Sequence, residues 1–373
     1  MKIGIITLHR LINYGSALQA YALQKYIEQN INKDVEIIDY IYPNKDYRVH
    51  KSFYKWCRGI VRTFLDYTKR HKIRGLRKFR DFRKDFFKLS KSYKDDEELL
   101  SAQPKYDLYI TGSDQVWNVN TLRNNPIMYC MFAPDGAKII SFSASFGTNT
   151  LPDRFKGVIR ERLNRYKYIG VREKNSLKIL EDLQLNCSIK KFFTCDPTLL
   201  LSANDYVDIV SKSELNIEDD FILVYKLDYS FSADPALTIV ADYAAEYFGC
   251  RIIHIGHHKF HYSHNCEYVT GIGPSDFLYL FNHAKYIVSS SFHGTMFSII
   301  YRKPFTSILP KDDNSDCRIQ DILEQIGLNE NGIRCNNRTP NIITDNPFND
   351  ELNDKLQKYI ELSKKELTQA IYN

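Results

Sequence analysis

The sequence predicts a parallel α/β protein with two domains, and three observations support this. Apolar runs typical of strands alternate with amphipathic helical patterns along most of the chain. The 373 residues, of which 43% are hydrophobic, suffice for two domains with substantial cores. A polar, acidic stretch near residues 201–216 interrupts the alternation. We therefore expect domains at 1–204 and 205–345, and a C-terminal helix at 346–373 that could cross back to the first domain.

The first series of elements begins at the N-terminus. "KIGIITL" predicts a strand, and "GSALQAYALQKYI" a helix with Leu18, Ala22 and Tyr26 on one face together with Leu23 and Ile27. The later elements of this series are "VEIIDYI", "YDLYITGSD", "KIISFSASFG" and "KYIGVREKNSLKILEDL". The second series follows "CDPTLLL" and comprises "FILVYKL", "ALTIVADYAAEYFG", "CRIIHIG", "SDFLYLFNHA", "KYIVSSS", "FHGTMFSIIY" and "PFTSIL".

Composition and motifs exclude several classes of protein. Eight cysteines occur without a CxxC pair, which argues against a disulfide framework and a zinc ribbon. The apolar stretch in "MKIGIITLHR" is too short for a secretory h-region, and no later run is long enough for a membrane span, so we expect a cytoplasmic protein. It lacks GxGxxG after the first strand and lacks a P-loop, so no nucleotide cofactor is expected. The histidines at 257, 258, 261 and 264 match no familiar ligand spacing, so no metal is expected either.

The basic character of the chain is concentrated in residues 45–94. This segment carries 18 Lys and Arg against 4 Asp and Glu, whereas the remainder of the chain is acidic. Five large apolar residues recur at helical steps within it: Phe53, Trp56, Ile60, Phe64 and Tyr67. The segment is predicted to be a helical insertion, either a solvated one with an apolar stripe in the core or one that docks on an anionic membrane. Nucleic acid is the least favoured partner.

Ligands of parallel α/β sheets bind beyond the carboxyl ends of the strands, so the residues that follow each strand are the candidate site. "NYGS" follows the first strand, and Asn13, Gly15 and Ser16 could form an anion-binding helix start or an ordinary N-cap turn. "TGSDQVWN" places Ser113 and Asp114 beside Trp117, an arrangement suited to a sugar platform.

Two further strand ends carry unusual residues. "SFSASFG" alternates serines, among them Ser143 and Ser145, with apolar residues, so one strand face is predicted to line something polar. Arg172 and Glu173 follow the next strand; Arg172 could bind a phosphate or a carboxylate, or form a structural pair with Glu173.

His293 lies in "SSSFHGTMFSIIY", at a predicted strand-to-helix junction in the second domain. An anionic ligand would meet the helix N-terminus there, and its charge would favour the protonated imidazole. This residue is therefore a candidate general acid, with helix capping as the alternative.

The ordered motifs "NYGS", "GSDQVWN", "SFSASFG", "VREKNS", "DPTLLL" and "SSSFHGTMFSIIYRKPF" resemble the polysaccharide pyruvyl transferase family over roughly residues 3–330. The resemblance implies two Rossmann-like domains in a GT-B-like arrangement with an interdomain cleft. It also implies transfer of the pyruvyl group of phosphoenolpyruvate to a sugar as a ketal, with no metal or nucleotide cofactor. His293 then matches the acid that protonates the methylene carbon, and Arg172 a residue that neutralises the donor.

One position departs from the family pattern: Ser291 stands where many members have arginine, so the donor contacts must differ. The residues assigned to the donor side are Ser291, Gly294, Thr295, Lys311 and Arg318. Those assigned to the acceptor side are Asn13, Gly15, Ser16, Ser113, Asp114, Trp117, Ser143 and Ser145.

The expected function is therefore pyruvylation of a glycan precursor, linked to a polyprenyl diphosphate at the inner face of the membrane. Two alternatives stay open: a GT-B glycosyltransferase that uses a nucleotide sugar, and a non-catalytic protein that binds carbohydrate or membrane.

Overall fold

The fold was determined as a computed structural model, which describes residues 1–42, 70–227, 231–256, 261–312 and 318–373. These residues form two parallel sheets, each joined by helices. The predicted α/β class is confirmed. Side chains of residues 70–72, and the predicted apolar stripe from Phe53 to Tyr67, lie outside what the structure describes.

The strands are β1 (Ile3–Ile6), β2 (Val35–Tyr40), β3 (Leu89–Tyr93), β4 (Leu108–Thr111), β5 (Ile139–Ala144), β6 (Tyr168–Val171), β7 (Lys190–Phe193), β8 (Phe221–Tyr225), β9 (Arg251–Ile255), β10 (Cys266–Val269), β11 (Tyr286–Ser289), β12 (Phe305–Leu309) and β13 (Gly332–Arg334). The helices are α1 (Tyr14–Asn30), α2 (Arg70–Phe86), α3 (Asp96–Ala102), α4 (Val119–Leu122), α5 (Asp153–Leu163), α6 (Lys174–Asp182), α7 (Val207–Val210), α8 (Ala236–Phe248), α9 (Pro274–His283), α10 (Phe292–Ile300), α11 (Arg318–Ile326) and α12 (Asp350–Tyr372).

The first sheet has the strand order β3-β2-β1-β4-β5-β6-β7 with parallel pairings throughout. Every residue of β1, β4, β5 and β6 is buried, as expected for a parallel sheet covered on both faces. Burial of each large aliphatic side chain in such strands contributes about 1.5–3 kcal/mol. The carboxyl ends of these four central strands face the same edge of the sheet.

The second sheet has the order β10-β9-β8-β11-β12-β13, again parallel. Its central strands β8, β11 and β12 are fully buried. The edge strands β7, β10 and β13 had not been expected from the sequence, because each has only three or four residues and little apolar character.

The segment 45–94 differs from the predicted helical insertion. Its described part begins with α2 but ends in β3, which pairs with β2 at the edge of the first sheet. Phe79 and Phe82 of α2 are buried in the core. Residues 70–93 therefore complete the fold of the first sheet, and the strand was missed because basic residues obscure the pattern of "LSKSY".

Helix α2 also contacts the second half of the chain through a group of charged residues that we call the Lys78 cluster: Arg74, Lys78, Glu214 and Asp276. Lys78 Nζ donates to Asp276 Oδ2 at 2.7 Å and lies 3.0 Å from Glu214. Arg74 Nη2 donates to Glu214 at 2.7 Å. Asp276 lies in the first turn of α9 and is buried, so this cluster fixes α2 against α9.

The C-terminal helix α12 contacts the first sheet and the strand ends next to it. Lys138 Nζ donates to the carbonyl of Ile371 at 2.7 Å. Cys195 N donates to Ser363 Oγ at 2.9 Å, and Phe193 stacks on Tyr359. The helix therefore returns from the second half of the chain to the first. In the described part of the chain, no helix combines the length and apolar character that crossing a membrane requires.

Candidate active site

The carboxyl ends of the two sheets bring the starts of α1 and α10 together. Asn13 caps α1 by accepting from Ser16 N at 3.0 Å, and Ser291 caps α10 by accepting from Gly294 N at 3.3 Å. Gly15 lies against the imidazole of His293, where a Cβ would overlap Nδ1 of the ring. Glycine at position 15 is therefore a requirement of the close approach between the two helix N-termini.

Arg172 occupies the centre of the site. Its side chain follows β6 and is buried, with Nε donating to Glu173 Oε1 at 3.0 Å and Nη1 to Asp196 Oδ2 at 2.7 Å. Nη2 lies 3.8 Å from Asp114 Oδ1, beyond hydrogen-bond distance. Burial alone would lower the pKa of Arg172, but the carboxylates of Glu173 and Asp196 outweigh that effect and raise it. We call Arg172, Glu173, Asp196, Asp114 and His293 the Arg172 cluster.

Asp114 connects this cluster to α1. Its Oδ2 accepts a hydrogen bond from Ser16 Oγ, and its backbone has a φ of 72°. Burial opposes ionisation of the carboxyl group, yet the charges of His293 and Arg172 outweigh burial and lower the pKa of Asp114. A positive φ is uncommon for a residue other than glycine and directs this carboxylate toward the cluster instead of along the strand.

His293 is the second residue of α10, next to the acid Asp196. Its Nε2 lies 3.6 Å from Asp196 Oδ2, and the residue is 7% exposed. The same two cations, His293 and Arg172, lower the pKa of Asp196 against the effect of its burial. Asp196 Oδ2 thus lies close to both the imidazole of His293 and the guanidinium of Arg172.

Two buried donors of the cluster have no hydrogen-bond partner: Nη2 of Arg172 and Nε2 of His293. Buried polar groups in native proteins are paired in the great majority of cases, so unpaired ones indicate a missing ligand or water. Both donors are positive or can become positive, and the N-terminus of α10 adds a partial positive charge. The site can therefore accept an anionic group.

Phe292 and Arg318 extend the site on the side of the second sheet. The guanidinium carbons of Arg172 and Arg318 lie 4.4 and 5.7 Å from the centroid of the Phe292 ring. With its amide oxygen turned toward the guanidinium, Gln115 accepts from Arg318 Nη1 and Nη2 at 2.8 and 3.1 Å. Arg318 thus supplies a second arginine near the cluster.

Several residues assigned to the acceptor side do not face a cleft. Trp117 is 1% exposed, stacks on Tyr129 and donates to the Met128 carbonyl at 3.1 Å. The prediction that its ring supports a sugar is wrong in this structure, because the indole belongs to the core. Ser113, Ser143 and Ser145 are fully buried and use their hydroxyls within the fold, on the Ser143 carbonyl, the Cys195 carbonyl and the Gly147 N–H respectively.

Most of the residues assigned to the donor side also have structural roles. Thr295 is buried and its hydroxyl bonds Ser307 Oγ at 2.7 Å, and a Cβ at Gly294 would overlap Ser289 Oγ, so both serve packing. Ser291 acts as the cap of α10. Lys311 is exposed and lies just after β12. Residues 313–317, which follow it, lie outside the described residues.

Asp196 was missed as a site residue by the sequence reasoning. The signal was available, since "CDPTLLL" was one of the motifs on which the family resemblance rested. A carboxylate after a short edge strand carries no periodicity signal of its own, so its position between Arg172 and His293 became clear only from the fold.

The histidine group at 257–264 is only partly described. His257 and His258 lie outside the described residues, and His264 Nδ1 lies 3.2 Å from Asp242 Oδ1. Among the residues with described positions, no three His, Cys, Asp or Glu side chains are grouped as a metal site would require.

The two sheets and the site between their carboxyl ends define a GT-B-like protein. The UDP-GlcNAc 2-epimerase of Methanocaldococcus jannaschii has a TM-score of 0.50 and 14% identity over 97% of this chain and 92% of that chain. That of Neisseria meningitidis has a TM-score of 0.50 and 9% identity over 99% and 94%. A further UDP-N-acetylglucosamine 2-epimerase has a TM-score of 0.51 and 11% identity over 100% and 96%. These similarities establish the fold alone and confirm the predicted GT-B-like arrangement.

The sequence model of the polysaccharide pyruvyl transferase family matches residues 13–312. The chain therefore belongs to this family and is a pyruvyltransferase, which confirms the resemblance found in the motifs. A search of curated proteins finds no match.

Proposed function

We propose that the enzyme transfers the pyruvyl group of phosphoenolpyruvate to two hydroxyls of a sugar. The observation that carries this proposal is the pair of buried donors without partners, Arg172 Nη2 and His293 Nε2, at the N-terminus of α10. Phosphoenolpyruvate presents a phosphate and a carboxylate, and Arg172 and Arg318 match these two anions in number and chemistry.

The proposed chemistry assigns a role to each side of the cluster. His293 donates a proton to the methylene carbon of the donor, and C2 becomes an oxocarbenium-like electrophile. A sugar hydroxyl, hydrogen-bonded to the ionised Asp114, attacks C2, and its proton passes to an oxygen of the phosphate. The bond between C2 and the bridging oxygen breaks and phosphate leaves. A second hydroxyl then attacks C2, its proton is released to the imidazole, and the cyclic ketal is complete.

The acceptor we propose is a glycan precursor carried on a polyprenyl diphosphate. The support for an anionic membrane surface is the composition of residues 45–94, but part of that charge has another role. Arg74, Arg77 and Lys78 lie 2.7–4.0 Å from Glu214 or Asp276. Reversal of Lys78 would therefore disturb the fold, and a test of docking should use the exposed side chains of Arg80, Lys84 and Lys91.

The experiment that tests donor and acceptor together is mass spectrometry of candidate glycans, free and lipid-linked, after incubation with enzyme and phosphoenolpyruvate. A ketal adduct with equimolar phosphate release supports the proposal. Transfer from a nucleotide sugar instead would establish the glycosyltransferase alternative, and ligand binding without any product the non-catalytic one. EDTA should leave turnover unchanged, and loss of turnover that a divalent cation restores would contradict the metal-free mechanism.

The test of membrane docking is charge reversal at Arg80, Lys84 and Lys91. It should weaken binding to anionic vesicles and slow pyruvyl transfer to the lipid-linked acceptor only. Raised salt should have the same effect, because it screens the attraction. Equal losses on both acceptors would mean that these residues serve the fold or the cleft.

A further inference from the structure

We infer that Asp196 is a positioning residue that orients both His293 and Arg172 for the reaction; this inference rests on the proposed function. Both carboxylate oxygens of Asp196 accept hydrogen bonds from protein groups, so we assign it no direct contact with a substrate. Its Oδ2 accepts from Arg172 Nη1 at 2.7 Å and lies 3.6 Å from His293 Nε2. One carboxylate oxygen thus faces the two groups that the mechanism requires.

The other oxygen of Asp196 is held by its neighbour Thr198. Oδ1 accepts from Thr198 N at 3.0 Å and from Thr198 Oγ1 at 2.7 Å. Thr198 is fully buried, and Asp196 is the N-cap of the 3₁₀ turn Pro197–Leu200. The carboxylate plane is therefore set by the turn, independently of Arg172 and His293.

The location of this turn makes Asp196 a link between the two halves of the site. The turn packs against α1 and α10, and Tyr206 donates to the Thr198 carbonyl at 3.0 Å. Cys195, just before Asp196, donates through its N–H to Ser363 of α12. Asp196 is thus anchored to the first sheet, while His293 belongs to the second.

The chemical consequence is a fixed ring orientation for His293. A carboxylate beside Nε2 favours the neutral tautomer that carries its proton on that nitrogen. It also occupies Arg172 Nη1, so that Nη2 remains for the donor. A mispositioned acid or arginine reduces the rate strongly, because catalysis requires alignment of the reacting groups.

The sharpest variant is Asp196→Asn, because Thr198 dictates the orientation of the amide. The two Thr198 donors require the amide oxygen at the Oδ1 position, so the NH₂ group faces Arg172 Nη1 and His293 Nε2, which are donors as well. We expect kcat to fall about 10²-fold, with a smaller change in the donor KM.

Two changes at the anchor provide a graded comparison. Thr198→Val removes one of the two hydrogen bonds to Oδ1 and should lower kcat about 10-fold, a smaller loss than that of Asp196→Asn. Thr198→Ser keeps the hydroxyl and should have the kcat of the wild type. Melting temperatures of all variants report the structural contribution separately.

A second readout does not depend on turnover. Nitrogen-15 NMR of labelled histidine, with His293→Gln to assign the signal, should show the neutral ring protonated on Nε2 in the wild type. Asp196→Asn should abolish that preference. A lower melting temperature with the wild-type kcat and ring signal would show that Asp196 is structural only. If the wild type forms no ketal, the proposed function fails, while the NMR result still decides the role of Asp196.

Discussion

Two groups of charged residues join the halves of this molecule, and they differ in how completely the hydrogen bonds of their buried members are satisfied. In the Lys78 cluster, Asp276 accepts from Lys78, Gly273 N, Ser213 Oγ and Glu214 N. In the Arg172 cluster, Arg172 Nη2 and His293 Nε2 are left without a partner. A satisfied group stabilises the fold, whereas an unsatisfied one is prepared to bind a ligand. We therefore interpret the Lys78 cluster as a structural contact between the two halves and the Arg172 cluster as a ligand-binding site.

The largest expected effect on this comparison comes from His293→Ala. Loss of a general acid typically lowers the rate by about 10² to 10⁴-fold. The fold should persist, because Nε2 of the ring has no hydrogen-bond partner within the protein. Initial rates of phosphate release measure turnover, and thermal melting shows whether the variant keeps its fold. A folded variant with near-normal turnover would remove His293 from the role of acid.

The matching change in the other cluster should act on stability. Lys78→Met leaves Asp276 buried beside no cation and should lower the free energy of unfolding by about 3 kcal/mol. Arg80→Met is the control on the same helix, since Arg80 is exposed and pairs only with its neighbour Asp81 in the described contacts, and it should change stability by less than about 0.5 kcal/mol.

The double variant Lys78→Met with Asp276→Asn completes the cycle. The double variant should lower the free energy of unfolding by less than the sum of the two single variants, because it removes both charges. Urea unfolding measures all four proteins. Additive losses would show that Lys78 and Asp276 are not coupled.

Gly15→Ala tests how closely the two halves must approach at the site. The added methyl group overlaps Nδ1 of His293, so α1 or the ring must shift, at a cost of about 1–3 kcal/mol in stability and with a fall in turnover. Gly157→Ala is the matched control: it lies in α5, nothing lies within 4 Å of its Cβ position, and it should stabilise by about 0.5–1 kcal/mol. Equal behaviour of the two variants would mean that the close contact at Gly15 is unimportant.

The smallest effect concerns the exposed edge of the Lys78 cluster. Hydrogen bonds from Arg74 and Lys78 lower the pKa of Glu214 from 4.5 to about 2. A depressed folded-state pKa contributes stability above pH 4.5 that is lost as the pH falls toward 2. Because Glu214 is half exposed, we expect this contribution to be below about 1 kcal/mol.

Urea unfolding at pH 7 and pH 3 can test this for Glu214→Gln. The difference in stability between wild type and variant should be present at pH 7 and smaller at pH 3. Glu218→Gln, at an exposed glutamate nearby, is the control. A difference that is independent of pH would exclude the ion pairs as its cause.

The succession of buried strands and amphipathic helices can be predicted from the amino-acid sequence, because the burial of apolar residues follows a local pattern. The sequence also indicates where functional residues could lie, since ligands of parallel sheets bind after the strands. Gly15, Asp114, Arg172, His293 and Arg318 all come from such positions or the helix starts next to them. The order of six motifs identified the family without any knowledge of the fold.

Which polar residues face the site and which face inward depends on tertiary contacts. A strand end with a positive φ, as at Asp114 or Ser143, does not continue the alternation of side chains, so the direction of its side chains cannot be extrapolated from the strand. Trp117, Ser143 and Ser145 are buried in the fold and do not line the site. Asp196 lies close to Arg172 because β7 ends beside β6, and close to His293 because the second sheet lies opposite. Asp196 and His293 are nearly one hundred positions apart in the sequence, so no local pattern predicts their contact.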